Sequence, residues 1–197
     1  MPDREEQVLA IPAATLFAGG MWSGVATNLA ELLPRLLDPA ALRFLPRGAA
    51  ELDPTYRQLV PYAVLRRGGE VFHYQRAGGG EGRLRGRRSI GIGGHVNDGD
   101  GPAASAVRAG FLRELHEEVS LPDGWTDRLA ALLHDPSTPV GAVHVGLVYL
   151  VECPPGEVRP REAGMADWGW ATVADLVARR GEFETWSQLA LDSLDTL

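Results

Sequence analysis

"RELHEEVSL", residues 113–121, closes a stretch in which Val107, Phe111, Leu115 and Val119 recur at helical spacing, with Ala104 on the same side. On a helix over residues 103–119, Glu114, Glu117 and Glu118 stand at i, i+3 and i+4 and converge on one surface patch. Like charges at that spacing repel, and their place near the end of the helix sets them against its dipole. Each penalty is about a few tenths of a kcal/mol. Glutamates on solvated helix faces are common, but here Arg113 is the one nearby cation in the turn. A hard divalent cation with oxygen ligands, magnesium or manganese, would neutralise the patch and keep positions open for water and phosphate oxygens.

Upstream lies a glycine-rich loop, "SIGIGGHVNDGDG", residues 89–101. Gly91, Gly93 and Gly94 allow positive φ or close approach of the backbone to a ligand, and Asn97-Asp98-Gly99 is a strong turn signal. No Gly-Lys-Ser/Thr follows, so this is not a P-loop, and the spacing is not the dinucleotide fingerprint GxGxxG. Before the loop, "LVPYAVLRR" and "EVFHYQR" flank Gly68-Gly69 as a hairpin, and a short strand is expected near Ser89–Ile92. After the helix, "RLAALLHD" and "PVGAVHVGLVYLVEC" read as strands, "DWGWATVADLVARR" as a strand end running into a helix, and "ETWSQLALDSL" as a last helix. Strands with one helix between them and helices at the end predict an α/β layered domain with a mixed sheet. Residues 27–37, "TNLAELLPRLL", predict a short amphipathic helix interrupted by Pro34.

The chain has 197 residues, 45 % hydrophobic and 23 % charged, enough for one substantial core. A net charge of −7 makes nucleic acid a poor partner. No run approaches the ~20 apolar residues that span a bilayer. Cys153 is the one cysteine, which excludes an intramolecular disulfide and fits a reducing, cytoplasmic setting; it reads as a small buried hydrophobe rather than a nucleophile.

"GGHVNDGD" and "RELHEEVSL" together resemble the Nudix box, G-x5-E-x7-R-E-U-x-E-E-x-G-U with U a bulky aliphatic residue. Arg113, Glu114, Leu115, Glu117, Glu118 and Leu121 fall in register, and Ser120 replaces the usual glycine. In the left half, Gly94 followed by five residues reaches Asp100 where the family has glutamate, with a five-residue insertion before Arg113. Rigid counting back from Arg113 would instead select Gly99 and Ser105. The first register keeps the family's local wording and is preferred. The resemblance covers roughly residues 59–180, and "DPTYRQLVPYAVL" with "RLRGRRSIGIGGHVN" is similar to a bacterial subgroup described as predicted phosphoesterases.

The resemblance implies a Nudix-like α/β/α sandwich with a mixed central sheet at 59–197, preceded by an N-terminal extension at 1–58 that could cap the substrate cleft or support a homodimer. It implies a pyrophosphohydrolase that cleaves a phosphoanhydride in a nucleoside diphosphate-linked small molecule. By resemblance, Glu114, Glu117 and Glu118 bind the metal, with the carbonyl of Gly94 as a further oxygen. Arg113 then orients a glutamate by an ion pair rather than touching substrate. The general base is left open: one of these glutamates, or a later carboxylate, with Glu162 chosen over Glu152.

Arg83, Arg85, Arg87 and Arg88 could meet phosphates, although alternating charges on a strand edge more often face solvent; Gly93, Arg87, Arg88 and Glu162 are the candidate substrate contacts. His95 and His144 lack partners at ligand spacing and read as structural. Trp168 and Trp170, two apart, read as core rather than base-stacking residues. Two alternatives accompany the hydrolase: a nucleotide sensor without catalysis, in which box glutamates are often lost, and an isoprenoid-diphosphate isomerase, which would need a cysteine and a glutamate around a buried double bond.

Overall fold

In the computed structural model, which describes residues 5–77, 84–161 and 163–197, the chain opens with strand β1 (Gln7–Pro12), its four central residues buried. Helix α1 (Ala13–Leu16), strand β2 (Gly24–Ala26) and helix α2 (Leu29–Leu36) follow. Helix α2 runs through Pro34 instead of breaking there, because the missing amide costs one bond close to the helix end. Strand β3 (Arg43–Pro46) and helix α3 (Arg47–Ala50) complete the first segment.

Strands β4 (Tyr56–Arg67) and β5 (Glu70–Arg76) form the expected hairpin, with Gly68 at φ +60°. They pair at the turn end, Arg66 with Val71 and Arg67 with Glu70. Further on they part: β6 (Arg88–Ser89) pairs with β5, and β7 (Gly91–Ile92) pairs with β4. The glycine loop therefore starts from inside the sheet.

Helix α4 (Ala103–Glu118) carries the predicted stripe, with Val107, Phe111 and Leu115 buried. Ala104 is exposed, contrary to expectation; it sits in the first turn, and Ala106 is the buried alanine. Val119 is buried too, but as the first residue of strand β8 (Val119–Ser120). Strand β9 (Thr126–His134) is followed by a 3₁₀ turn at Gly141–Val143 and strand β10 (His144–Glu152), so the first part of "PVGAVHVGLVYLVEC" turns before it extends. Strands β11 (Arg159–Pro160) and β12 (Met165–Thr172) and helices α5 (Val173–Ala178) and α6 (Thr185–Leu191) complete the chain.

The main sheet runs β12-β5-β4-β10-β9-β2. β4 and β10 are parallel, and the other pairs along this path are antiparallel. One face packs Leu59, Leu65, Leu147 and Val151 against Leu32 and Leu36 of α2 and Phe111 and Leu115 of α4. The other packs Tyr62, Val64, Val148 and Leu150 against Leu176 of α5 and Leu191 of α6. This is the expected α/β/α sandwich with a mixed sheet.

The first segment is built into that sandwich. β1 pairs with β4, Ala10 opposite Gln58, and β3 pairs with β1. β2 extends the far edge by pairing with β9. β1 also reaches the glycine loop: Leu9 N–H donates to the Val96 carbonyl at 2.7 Å, and Val8 bridges Asn97.

Candidate active site

The loop packs against β4 and helix α4 because three side chains are missing. Gly93, at φ +150°, lies where a Cβ would stand 2.0 Å from the Pro61 carbonyl oxygen of β4. At Gly94 a Cβ would lie 2.6 Å from Glu114 Oε2, so only glycine lets that carboxylate rest against the loop backbone. At Gly110 on the helix a Cβ would come 2.7 Å from Asp100 Oδ2 and 3.2 Å from Val96 Cγ2. Gly93, an expected substrate contact, uses its conformational freedom against β4.

Arg113 ties these parts together. Its Nε and Nη2 donate to the two oxygens of Asp100 at 2.7 and 3.0 Å, and Nη2 also donates to the His95 carbonyl at 3.0 Å. Nη1 donates to Glu114 at 2.8 Å and Glu117 at 3.1 Å. The Asp100 side chain is 2 % exposed and accepts the Asn97 N–H at 2.9 Å as well. The guanidinium is held well above its ordinary range, first by Asp100 and then by Glu114. Arg113 thus makes ion pairs with two of the three box glutamates. Asp100 ends the turn Asp98–Asp100 and lies alongside helix α4, against Gly110 and Arg113.

Burial raises the Glu114 carboxyl above the ordinary carboxylate range, against the pull of Arg113, and Glu117 and Asp100 add to the rise. A partly desolvated carboxylate against a glycine backbone, with a second one a helical turn away, has the donor chemistry of a hard-cation site. Glu117 is half-exposed, and Glu118 lies on the same helix turn within electrostatic reach of Tyr74 and Arg76 on β5. Among the described residues, no three His, Cys, Asp or Glu side chains are already gathered as a ligand cluster. Arg113 draws Glu114 and Glu117 to itself instead. The oxygen donors fit magnesium or manganese in kind, though not yet as a closed cage.

The basic run is placed differently from expectation. Arg88 is buried: Nη1 donates to Asp167 at 2.5 Å and Nη2 to His73 Nδ1 at 2.6 Å, bracing β5 against the bulge of β12 where Asp167 has φ +43°. Burial, then Arg88, holds the His73 pKa below its ordinary value. Arg87 is exposed and donates to the Gly181 carbonyl at 3.0 Å. Arg88 is thus engaged inside the fold, while Arg87 remains at the surface. Arg83 and Glu162 lie outside the described residues. Glu152, the other base candidate, sits at a strand end 3.5 Å from Arg66. Trp168 and Trp170 both reach the Phe72 ring, at 6.1 and 5.6 Å between centroids, although Trp168 remains 43 % exposed.

Sequence spacing missed one pairing altogether. The Nε2 atoms of His95 and His144 lie 3.0 Å apart, and His144 Nδ1 is 2.7 Å from the Val140 carbonyl. The network assigns His144 Nδ1–H as donor to Val140 and its Nε2 as acceptor from His95. Burial lowers the His95 pKa to about 3, with His144 and Arg47 acting in the same direction. As pH falls below about 6.5 the unfolded chain takes up a proton that folded His95 refuses, so stability present above that pH is lost progressively toward about 3. The metal-free protein is therefore expected to lose urea resistance between about pH 7.5 and about pH 5, and His95→Asn to lose less of it. Equal losses in the two proteins would remove His95 from this dependence.

A hollow of about 280 Å³ lies elsewhere, in the first segment, lined by Trp22, Asn28, Glu31 and Arg35 among others. It shares no residue with the carboxylate patch.

No family model matches the sequence. The chain is 36 % identical over 177 residues to Protein YmaB of Bacillus subtilis (strain 168), covering 86 % of this chain and 85 % of that protein. Its fold is similar to the crystal structure of Tm1382, described as a Nudix hydrolase, with a TM-score of 0.79 and 27 % identity over 96 % of this chain and 98 % of that one. With the loop, the helix and the Asp100–Arg113–Glu114 geometry in place, the chain belongs to the Nudix hydrolase superfamily. Within it, the chain belongs to the same family as Protein YmaB.

Proposed function

We propose that this enzyme hydrolyses a phosphoanhydride bond in a nucleoside diphosphate-linked small molecule, with magnesium or manganese held by Glu114, Glu117, Glu118 and the Gly94 carbonyl. The observation that carries this reading is the Glu114 carboxylate, desolvated against the Gly94 backbone and aligned with Glu117 by Arg113. When bound, such a cation offsets charge on the phosphate oxygens. The chain's own residues fix the carboxylates: Asp100 sets Arg113, and Arg113 sets Glu114 and Glu117. In the reaction the water oxygen bonds to one phosphorus and the bridging P–O bond breaks. The leaving phosphate takes the electron pair, and a water proton passes to a base or to solvent. Glu162 is the proposed base and substrate-side carboxylate.

A cytoplasmic setting suits such an enzyme, and among the described residues no helix is long and apolar enough to cross a membrane. The isomerase reading is disfavoured by Cys153, which is 7 % exposed with its thiol pushed up to about 11 by burial. The test is a screen of nucleoside triphosphates, sugar nucleotides, dinucleotide cofactors and coenzyme A with magnesium or manganese, against a metal-free control. Metal-dependent release from one class supports the proposal and names the substrate. Nucleotide binding without release would favour the sensor.

A further inference from the structure

Arg76 ends strand β5 on the face that bears Phe72 and Tyr74, the side of the sheet covered by α4. Its guanidinium carbon stands 5.7 Å from the centre of the Tyr74 ring, and Tyr74 in turn donates its hydroxyl to the Gly91 carbonyl at 2.8 Å, just before the glycine loop. Glu118 lies within electrostatic reach of both side chains. The backbone of Arg76 is fixed on both sides, its N–H donating to the Arg87 carbonyl at 2.9 Å and its own carbonyl accepting from Gly86 at 2.8 Å. Yet Arg76 Nε is buried and meets no acceptor among the described residues. A buried guanidinium Nε that leaves its donor unmade is costly, and Arg113, by contrast, has its donors met by carboxylates and a carbonyl. The fork of an arginine matches two oxygens of a phosphate.

Resting on the hydrolase reading above, we propose that Arg76 is a substrate-binding residue that takes non-bridging oxygens of the diphosphate beside the acidic turn of α4. Arg76 closes the charge balance that the acidic helix leaves open: the helix holds the cation, and β5 holds the anion it accompanies. This is the arginine that the basic run at 83–88 was expected to supply, placed one strand earlier.

The test uses the full chain with imidodiphosphate, a diphosphate whose bridging atom resists hydrolysis, titrated calorimetrically with manganese present; manganese binding alone is followed by electron paramagnetic resonance. Arg76→Ala is expected to weaken imidodiphosphate binding by about 10- to 100-fold and Arg76→Lys by less, with manganese affinity unchanged within about twofold. Undiminished binding in both variants overturns the proposal and leaves the hydrolase reading standing. A wild-type protein that binds manganese but not imidodiphosphate overturns both. Should Arg76→Ala fail to fold, Arg76→Lys decides, since it keeps the charge and stem and removes the fork.

Discussion

Glu117→Gln is expected to lower metal-dependent hydrolysis by at least about 10³-fold while leaving the melting temperature within about 2 °C of wild type. The two halves of that expectation have separate causes. The Glu117 side chain is 53 % exposed and is tied to the described residues by a 3.1 Å bond from Arg113, so its loss costs little stability. Its proposed place is on the cation, where exchanging a carboxylate for an amide removes a charge that the site needs. Initial rates and thermal melts of both proteins, with and without magnesium, check it. Retained activity in Glu117→Gln would take the helix turn out of the mechanism.

Asp100→Ala is expected to do the reverse, reducing both stability and turnover. Asp100 is nearly completely buried and accepts three donors, two from Arg113 and one from Asn97. Truncation leaves the guanidinium and an amide short of partners, at a cost of about 2–3 kcal/mol, moderated because Arg113 is itself partly exposed. Once Arg113 loosens, Glu114, Glu117 and the His95 carbonyl lose their common anchor, and an activity loss of about 100-fold or more follows. Gly110→Ala reaches the same end with Asp100 intact, since the added Cβ would stand 2.7 Å from its carboxylate. Urea midpoints and kcat/KM measure both. A neutral Gly110→Ala would show that the loop does not depend on this notch.

What could be read in the chain beforehand was local. The glutamate turn is legible because three like charges at helical spacing demand an explanation, and the hairpin because Gly68-Gly69 separates two extended runs. The layered fold followed from element order. What could not be read depends on residues far apart in the sequence. His95 and His144 are 49 positions apart and touch only because β10 runs beside β4 while the loop folds over the end of that pair. Gly110 looks like a weak point in a helix until Asp100 is seen against it. Arg76 carries no motif, and its meaning arises from an unfilled hydrogen bond. Arg88, which reads like a surface cation, was misplaced because the bulge carrying Asp167 has no signature in sequence.

The attachment of β1 to residues 96 and 97 bears on how the protein is made. β1 is translated before its partners, since those on β4 and in the glycine loop follow it by some fifty to ninety residues. Until then the strand has only β3 to pair with, and an incompletely paired apolar strand of that kind invites pairing with other chains. The glycine loop, for its part, acquires its full geometry only when the earlier-made β1 meets it. Assembly of the site is thus a late, long-range event in folding, and the time a nascent chain spends before that closure is when it is most exposed to aggregation.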